Sequence, residues 1–442
     1  MKKVYIENLG CAKNQVDAEV MAYKLKDNFT LAESAEESDL IIVNTCGFIN
    51  SAKEESIKVF FELKEKCPDT PIILSGCLAQ RYADDLEKEL LEADVIFGNR
   101  DLEYIKKAAF QALEKKRCTI KPEYPQPECE DDTRDKLYNF PGSAYLKISE
   151  GCNHRCGYCA IPVIRGSLRS RPEQAILKEV KRLVSTGIKE INIIAQDLAA
   201  YGYDFDGKTH FASLLDSICS VEGDFRVRML YIHPDWMTDE IISAVKRNPK
   251  VLPYFDIPFQ HASEHVLRPM KRNGNQDVYA DLVEKIRREI PGSVIRTTIM
   301  LGFPGETDED FNTVCDFVKR CKFNWMGSFV YSLEEDTDAF EMTTEGEHVK
   351  LAAIAAKRQK KLERIQRKIT EKSLESFVGN KYPVLIEENV QGEDLAIGRI
   401  YAQAPEVDGL TVVMGHDMIP GNVYLCGITK VNGVDLEGVK ID

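Results

Sequence analysis

Cys152, Cys156 and Cys159 stand at CxxxCxxC spacing directly after the strand-like run Tyr145 to Ile148, and no other feature constrains the chain as strongly. Thiolates hold iron–sulfur clusters, usually four to a cluster. Three of them with no fourth nearby leave one iron of a four-iron cluster open, the counterpart of the open position in a catalytic zinc site. An open iron can chelate a small molecule. A zinc knuckle or three reduced structural thiols are the alternatives.

Beyond Ile148 the apolar runs alternate with helix-compatible stretches: Glu190 to Ile194, Val227 to Leu230, Tyr254 to Ile257, Val294 to Leu301 and Ser328 to Tyr331. Six βα units predict an open, partial (β/α)6 barrel, two units short of a full one, with its active groups after the strands. Cys152 lies where that rule places them. Gln196, Asp197, Gln260 and His261 follow later strands, and Gly302 to Thr307 makes a tight turn after the fifth.

The first hundred residues repeat the logic. Val4 to Ile6 leads to Cys11, Leu40 to Val43 to Cys46, Ile72 to Leu74 to Cys77, and a fourth run covers Val95 to Gly98. Strands alternating with helices predict a parallel α/β domain. Loops after its strands converge at the carboxyl edge, so these three thiols can meet and again leave one iron open. Three buried structural cysteines is the alternative. Cys67, Cys118, Cys129, Cys219, Cys315, Cys321 and Cys426 lack such a setting and read as structural or incidental.

Domain boundaries are expected at 1–117, a linker at 118–139 that is acidic and proline-rich, 140–372 and 373–442. Alternating charges from Lys350 to Glu371 suggest a helix with a solvated face. Short apolar runs follow (Val384 to Ile386, Leu395 to Ile397, Thr411 to Val413, Val423 to Leu425), predicting a small antiparallel β-barrel. That last region carries eleven acidic against four basic side chains, a net −7, within a chain of net −14. Such a surface repels nucleic acid, which needs Lys and Arg against its phosphates, and suits a basic partner. Thirteen cysteines without a disulfide framework predict a reducing compartment. Met1 runs straight into Lys2 and Lys3 without an apolar leader, and no membrane span is expected, so the location reads as cytoplasmic.

The cysteine triplet closely resembles that of the radical SAM superfamily. The resemblance implies S-adenosylmethionine on the open iron, cleaved to a 5′-deoxyadenosyl radical, with Tyr158 at the position where the superfamily places the adenine. It makes Gln196, Asp197 and Gln260 candidates for hydrogen bonds to the cofactor's amino, carboxylate or ribose groups. Leu9 to Asn14, Asn44 to Phe48 and Ser75 to Leu78 resemble the N-terminal domain of the methylthiotransferases, implying that Cys11, Cys46 and Cys77 hold an auxiliary 4Fe–4S cluster and Cys152, Cys156 and Cys159 the first one. The C-terminal region resembles a TRAM domain. Ser149 to Cys156, Arg165 to Pro172 and Leu252 to His261 resemble the RimO-type enzymes, which methylthiolate an aspartate of ribosomal protein twelve of the small subunit. The implied partners are that basic protein, an electron donor and a sulfur source; tRNA is disfavoured. A tRNA adenosine methylthiotransferase of the MiaB type and a non-catalytic metal-binding module are the competing readings.

Overall fold

The computed structural model describes residues 1–123 and 134–441. Pro125, Pro127, Glu128, Cys129, Glu130, Asp131 and Asp132 of the expected linker lie outside the described residues.

Near-continuous apolar runs such as Leu40 to Val43 are what a parallel strand needs when both its faces are covered. They build a six-stranded, all-parallel sheet from β1 (Lys2–Asn8), β2 (Phe29–Leu31), β3 (Leu40–Thr45), β4 (Ile72–Gly76), β5 (Val95–Gly98) and β6 (Cys118–Ile120), in the order β2-β1-β3-β4-β5-β6. Leu40, Ile42, Ile73 and Phe97 face one core layer, while Ile41, Val43, Ile72 and Leu74 face the other. The edge strands β2 and β6 are only three residues long, too short for a periodic signal. β6 pairs with Val95 to Phe97, so the sheet takes three residues of the stretch read as linker.

A second all-parallel sheet contains β7 (Ser143–Lys147), β10 (Glu190–Ile194), β11 (Arg226–Met229), β12 (Val251–Asp256), β13 (Val294–Leu301) and β14 (Trp325–Val330), neighbours in chain order and open at both edges. Between β7 and β10 a two-residue ladder, β8 (Ser149–Glu150) with β9 (Arg169–Ser170), brackets the cysteine loop. Leu146, Ile193, Met229, Phe255 and Ile295 pack on the outer helices. The alternating residues Tyr145, Leu230, Tyr254 and Trp325 pack instead with Val16 and Val20 of the N-terminal domain and with Val384, Ile386 and Ile400 of the C-terminal one. Both end domains therefore cover the half-barrel's inner face.

The C-terminal barrel is closed by five strands: β15 (Lys381–Asn389), β16 (Leu395–Arg399), β17 (Thr411–Met414), β18 (Val423–Asn432) and β19 (Asp435–Lys440). Four seams are antiparallel, and the closing seam β17–β19 is parallel. β19 escaped the sequence reading because its apolar residues are sparse. The helix Glu345–Leu374 starts at a capping box of Thr344 and Glu347. It is not wholly solvated: Ala355, Arg358, Leu362, Gln366 and Thr370 form a buried stripe, in which Arg358 pairs with Glu306 at 2.5 Å and ties the helix to the Gly302–Thr307 turn. No described helix is long and apolar enough to cross a membrane.

Candidate active site

In the N-terminal sheet Asn8, Asn44 and Ser75 lie side by side on three adjacent strands. Cys11, Cys46 and Cys77 follow them by two or three residues and so emerge at one sheet edge. Close approach of the loops depends on glycine. Gly10 has φ +95°, and a Cβ there would lie 2.9 Å from the Cys46 Cβ; one on Gly47 would lie 2.7 Å from the Leu78 backbone. Asn14 stitches the loops together, donating to Leu9 O at 3.0 Å and Thr45 O at 2.8 Å, while its Oδ1 lies 3.3 Å from the Cys77 sulfur. Burial, then the neighbouring Cys77 and Cys11, push the Cys46 thiol up to about 12. Burial raises Cys77 as well. Two thiols so raised can be thiolates together only beside a compensating cationic centre.

The second triad lies on the loop between β8 and β9, with Cys152 N donating to Gly166 O at 3.1 Å. Gly157 is clasped from two sides: its N–H donates to Met270 O at 3.0 Å and its carbonyl accepts from Ala339 N at 2.7 Å. A Cβ on Gly157 would meet Pro269 O at 2.7 Å. Burial foremost pushes Cys152 and Cys159 up to about 12, Asp197 and Cys156 adding to Cys152 and Cys156 to Cys159. All six cysteines are free thiols. Among the described residues no three His, Cys, Asp or Glu side chains close on a single ion.

Of the residues expected to contact the cofactor, two are taken up by the protein. Asp197 Oδ2 lies 2.7 Å from His154 Nε2, and its Oδ1 accepts from His233 N at 2.9 Å and Ala199 N at 3.0 Å. It holds the cysteine loop, and His154 is the handle. His154 also stacks on His233 at 4.4 Å; burial pushes His233 down to about 2, so its ring is neutral. Tyr158 is buried in the helix-facing core, its hydroxyl accepting from Arg272 Nε at 3.2 Å. Gln196 is different, because among the described residues its buried Oε1 has no partner, and it suits a ligand's N–H. Gln260 sits at φ +67°, its backbone bridging Thr298 O and Met300 N.

One triad meets the other's loop at the domain boundary through Cys77. Cys77 packs on Ala160 and Ile164, and Ala160 adjoins Cys159. Arg165 reaches over the same seam, with Nη2 at 2.7 Å from Asn14 Oδ1 and 3.3 Å from the Cys77 sulfur. Its Nη1 pairs with Asp17 at 2.8 Å and Glu150 at 3.1 Å, and Lys147 pairs with both carboxylates, at 2.8 and 2.6 Å. Against the upward push of burial, Arg165 and Lys147 hold Glu150 down at about 2. Arg165, Asp17, Lys147 and Arg272 were missed by sequence reasoning as site residues; a lysine inside a buried strand was the available signal.

Three family models divide the chain in the same way. The "Uncharacterized protein family UPF0004" matches residues 3–98, the "Radical SAM superfamily" 146–318 and the "TRAM domain" 378–441. The fold is similar to that of the radical S-adenosylmethionine methyltransferase TsrM from Kitasatospora setae, with TM-score 0.55 at 14% identity, covering 74% of this chain and 75% of that one. The ribosomal protein uS12 methylthiotransferase RimO of Treponema denticola is 42% identical over 98% of this chain and 99% of its own. That of Carboxydothermus hydrogenoformans is 40% identical over the full length of both. Identity of this order from end to end, over a chain with two thiol triads, means that the protein belongs to the RimO family of radical SAM methylthiotransferases.

Proposed function

We propose that this protein transfers a methylthio group to an aspartate of ribosomal protein uS12, with Cys152, Cys156 and Cys159 holding one 4Fe–4S cluster and Cys11, Cys46 and Cys77 an auxiliary one. The observation that carries the reading is the seam at which Cys77 packs on Ala160, one residue from Cys159. A group carried on one side and a radical made on the other have to meet within one substrate's reach. When bound, the clusters and S-adenosylmethionine supply the sulfur carrier, the methyl donor and the radical that takes hydrogen from the aspartate Cβ.

The chain's own part is positioning and charge. Arg165 brings a fixed positive charge to the Cys77 sulfur, which favours the thiolate. His154 and Asp197 hold the first loop in place. Gln196 offers an acceptor to the cofactor's N–H groups. An electron donor and a sulfur source complete the partners. The barrel's net −7 suits a basic ribosomal protein and disfavours the tRNA reading.

Anaerobic reconstitution tests this reading. Wild-type protein should take up about eight irons. Cys156→Ala should lose reductive cleavage of S-adenosylmethionine yet keep the N-terminal iron. Cys46→Ala should still form 5′-deoxyadenosine but no methylthio product. Product formation at the wild-type rate by Cys46→Ala would remove the auxiliary cluster from the mechanism.

A further inference from the structure

Several basic side chains approach the seam between the triads, and most have hydrogen-bond or ion-pair partners: Lys147 pairs with Asp17 and Glu150. Arg165 pairs with Asp17 and Glu150. Arg296 pairs with Asp256 and Asp408 at 3.1 and 3.4 Å. Arg272 donates to the Tyr158 hydroxyl and to Pro258 O beneath the cysteine loop. Lys13 is the exception. It is 9% exposed, and among the described residues its ammonium has no hydrogen-bond or ion-pair partner, only the face of the Tyr231 ring 3.5 Å away. A buried ammonium so poorly matched is costly unless something arrives to pair with it.

Its location says what arrives. Lys13 is two residues from Cys11. Tyr231, beneath it, is held at φ +70° at the end of β11, its N–H donating to Asp256 Oδ2 at 3.2 Å. Two residues on, His233 stacks on His154 inside the other cysteine loop. The ammonium therefore lies two residues from one triad and over a tyrosine whose segment runs on to the loop of the other. An aspartate's carboxylate is bonded directly to its Cβ, so it enters the same buried space as a second, oppositely charged group. We propose that Lys13 binds the side-chain carboxylate of the target aspartate and makes the enzyme specific for an acidic residue, an inference that rests on the functional reading above. The Tyr231 face holds the ammonium in place before the substrate binds.

The test is a cycle of binding measurements with full-length, anaerobically reconstituted enzyme. Isolated uS12 is compared with uS12 carrying asparagine in place of the target aspartate. Removing one partner of a buried, hydrogen-bonded charge pair weakens binding at least about thirtyfold. Wild-type enzyme should prefer the aspartate form by that factor, and Lys13→Met should bind both forms equally weakly. Lys13→Arg, which keeps the charge in a different shape, should recover part of the preference. Iron content of Lys13→Met should match the wild type. An undiminished preference in Lys13→Met would overturn the assignment alone, as would loss of its N-terminal iron, which would make Lys13 a partner of the cluster. Failure of wild-type enzyme to modify uS12 would instead overturn the functional reading, and this inference with it.

Discussion

The Arg165 guanidinium lies 3.3 Å from the Cys77 sulfur although the two residues belong to different domains. Asp17 of the N-terminal domain and Glu150 beside the first cysteine loop share that guanidinium. The seam between the triads is thus a buried network of charges in which each member depends on the others.

Replacing Arg165 by Met should leave Asp17 and Glu150 underpaired, with Lys147 the nearest remaining cation to both. Breaking a buried pair in this way costs about 3–5 kcal/mol. Denaturant unfolding should show a clear loss of stability, smaller for Arg165→Lys. An unchanged midpoint for Arg165→Met would mean that the seam opens in solution.

The docking of the C-terminal barrel carries a pH dependence. Burial pushes the Asp408 carboxyl up to about 6, with Arg296 and the Tyr254 hydroxyl pulling it back. Its folded value lies above the unfolded one of about 3.9, so the folded state holds a proton that the unfolded chain releases. This carboxyl's contribution is therefore full below about pH 4 and lost as pH rises through 6, amounting to about 3 kcal/mol. Asp408→Asn should gain on the wild type as pH is raised from 4 to 7 in unfolding experiments. A variant that loses ground with rising pH would contradict the sign.

Acidic residues on the barrel divide into two kinds. Glu387 is buried against Arg399 at 2.7 Å, and Arg399 reaches on to Glu190 at 2.8 Å. Glu388, Glu393 and Asp394 are exposed. Glu387→Lys should unseat the barrel and lower stability by about 3 kcal/mol or more. Reversing the exposed three to Lys should spare stability but slow association with uS12, most at low salt. Stopped-flow association at two salt concentrations checks this; equal rates would remove electrostatic steering from the account.

What could be read from the sequence was local. The CxxxCxxC triplet needs no fold to be recognised, and Cys11, Cys46 and Cys77 each follow an apolar run, so a parallel sheet brings them together. Pairings between distant segments left no such trace. Arg134 lies at the end of the expected linker yet is fully buried, paired with Glu19 and Glu179 from two different domains. Glu190, Arg228 and Arg399 look like surface charges in sequence, but they form one internal cluster joining the half-barrel to the C-terminal barrel. Asp197 was expected to hydrogen-bond the cofactor, but what it binds in the structure is His154 and two backbone amides, which only the folded chain brings within reach.

One measurement bears most directly on the central claim. Reconstituted enzyme is incubated anaerobically with S-adenosylmethionine, a reductant and a sulfide source, in the presence of both uS12 and unmodified tRNA, and both are examined by mass spectrometry. The account predicts a methylthio group on a single aspartate of uS12 and none on tRNA; a methylthio group on tRNA with uS12 unmodified would contradict it.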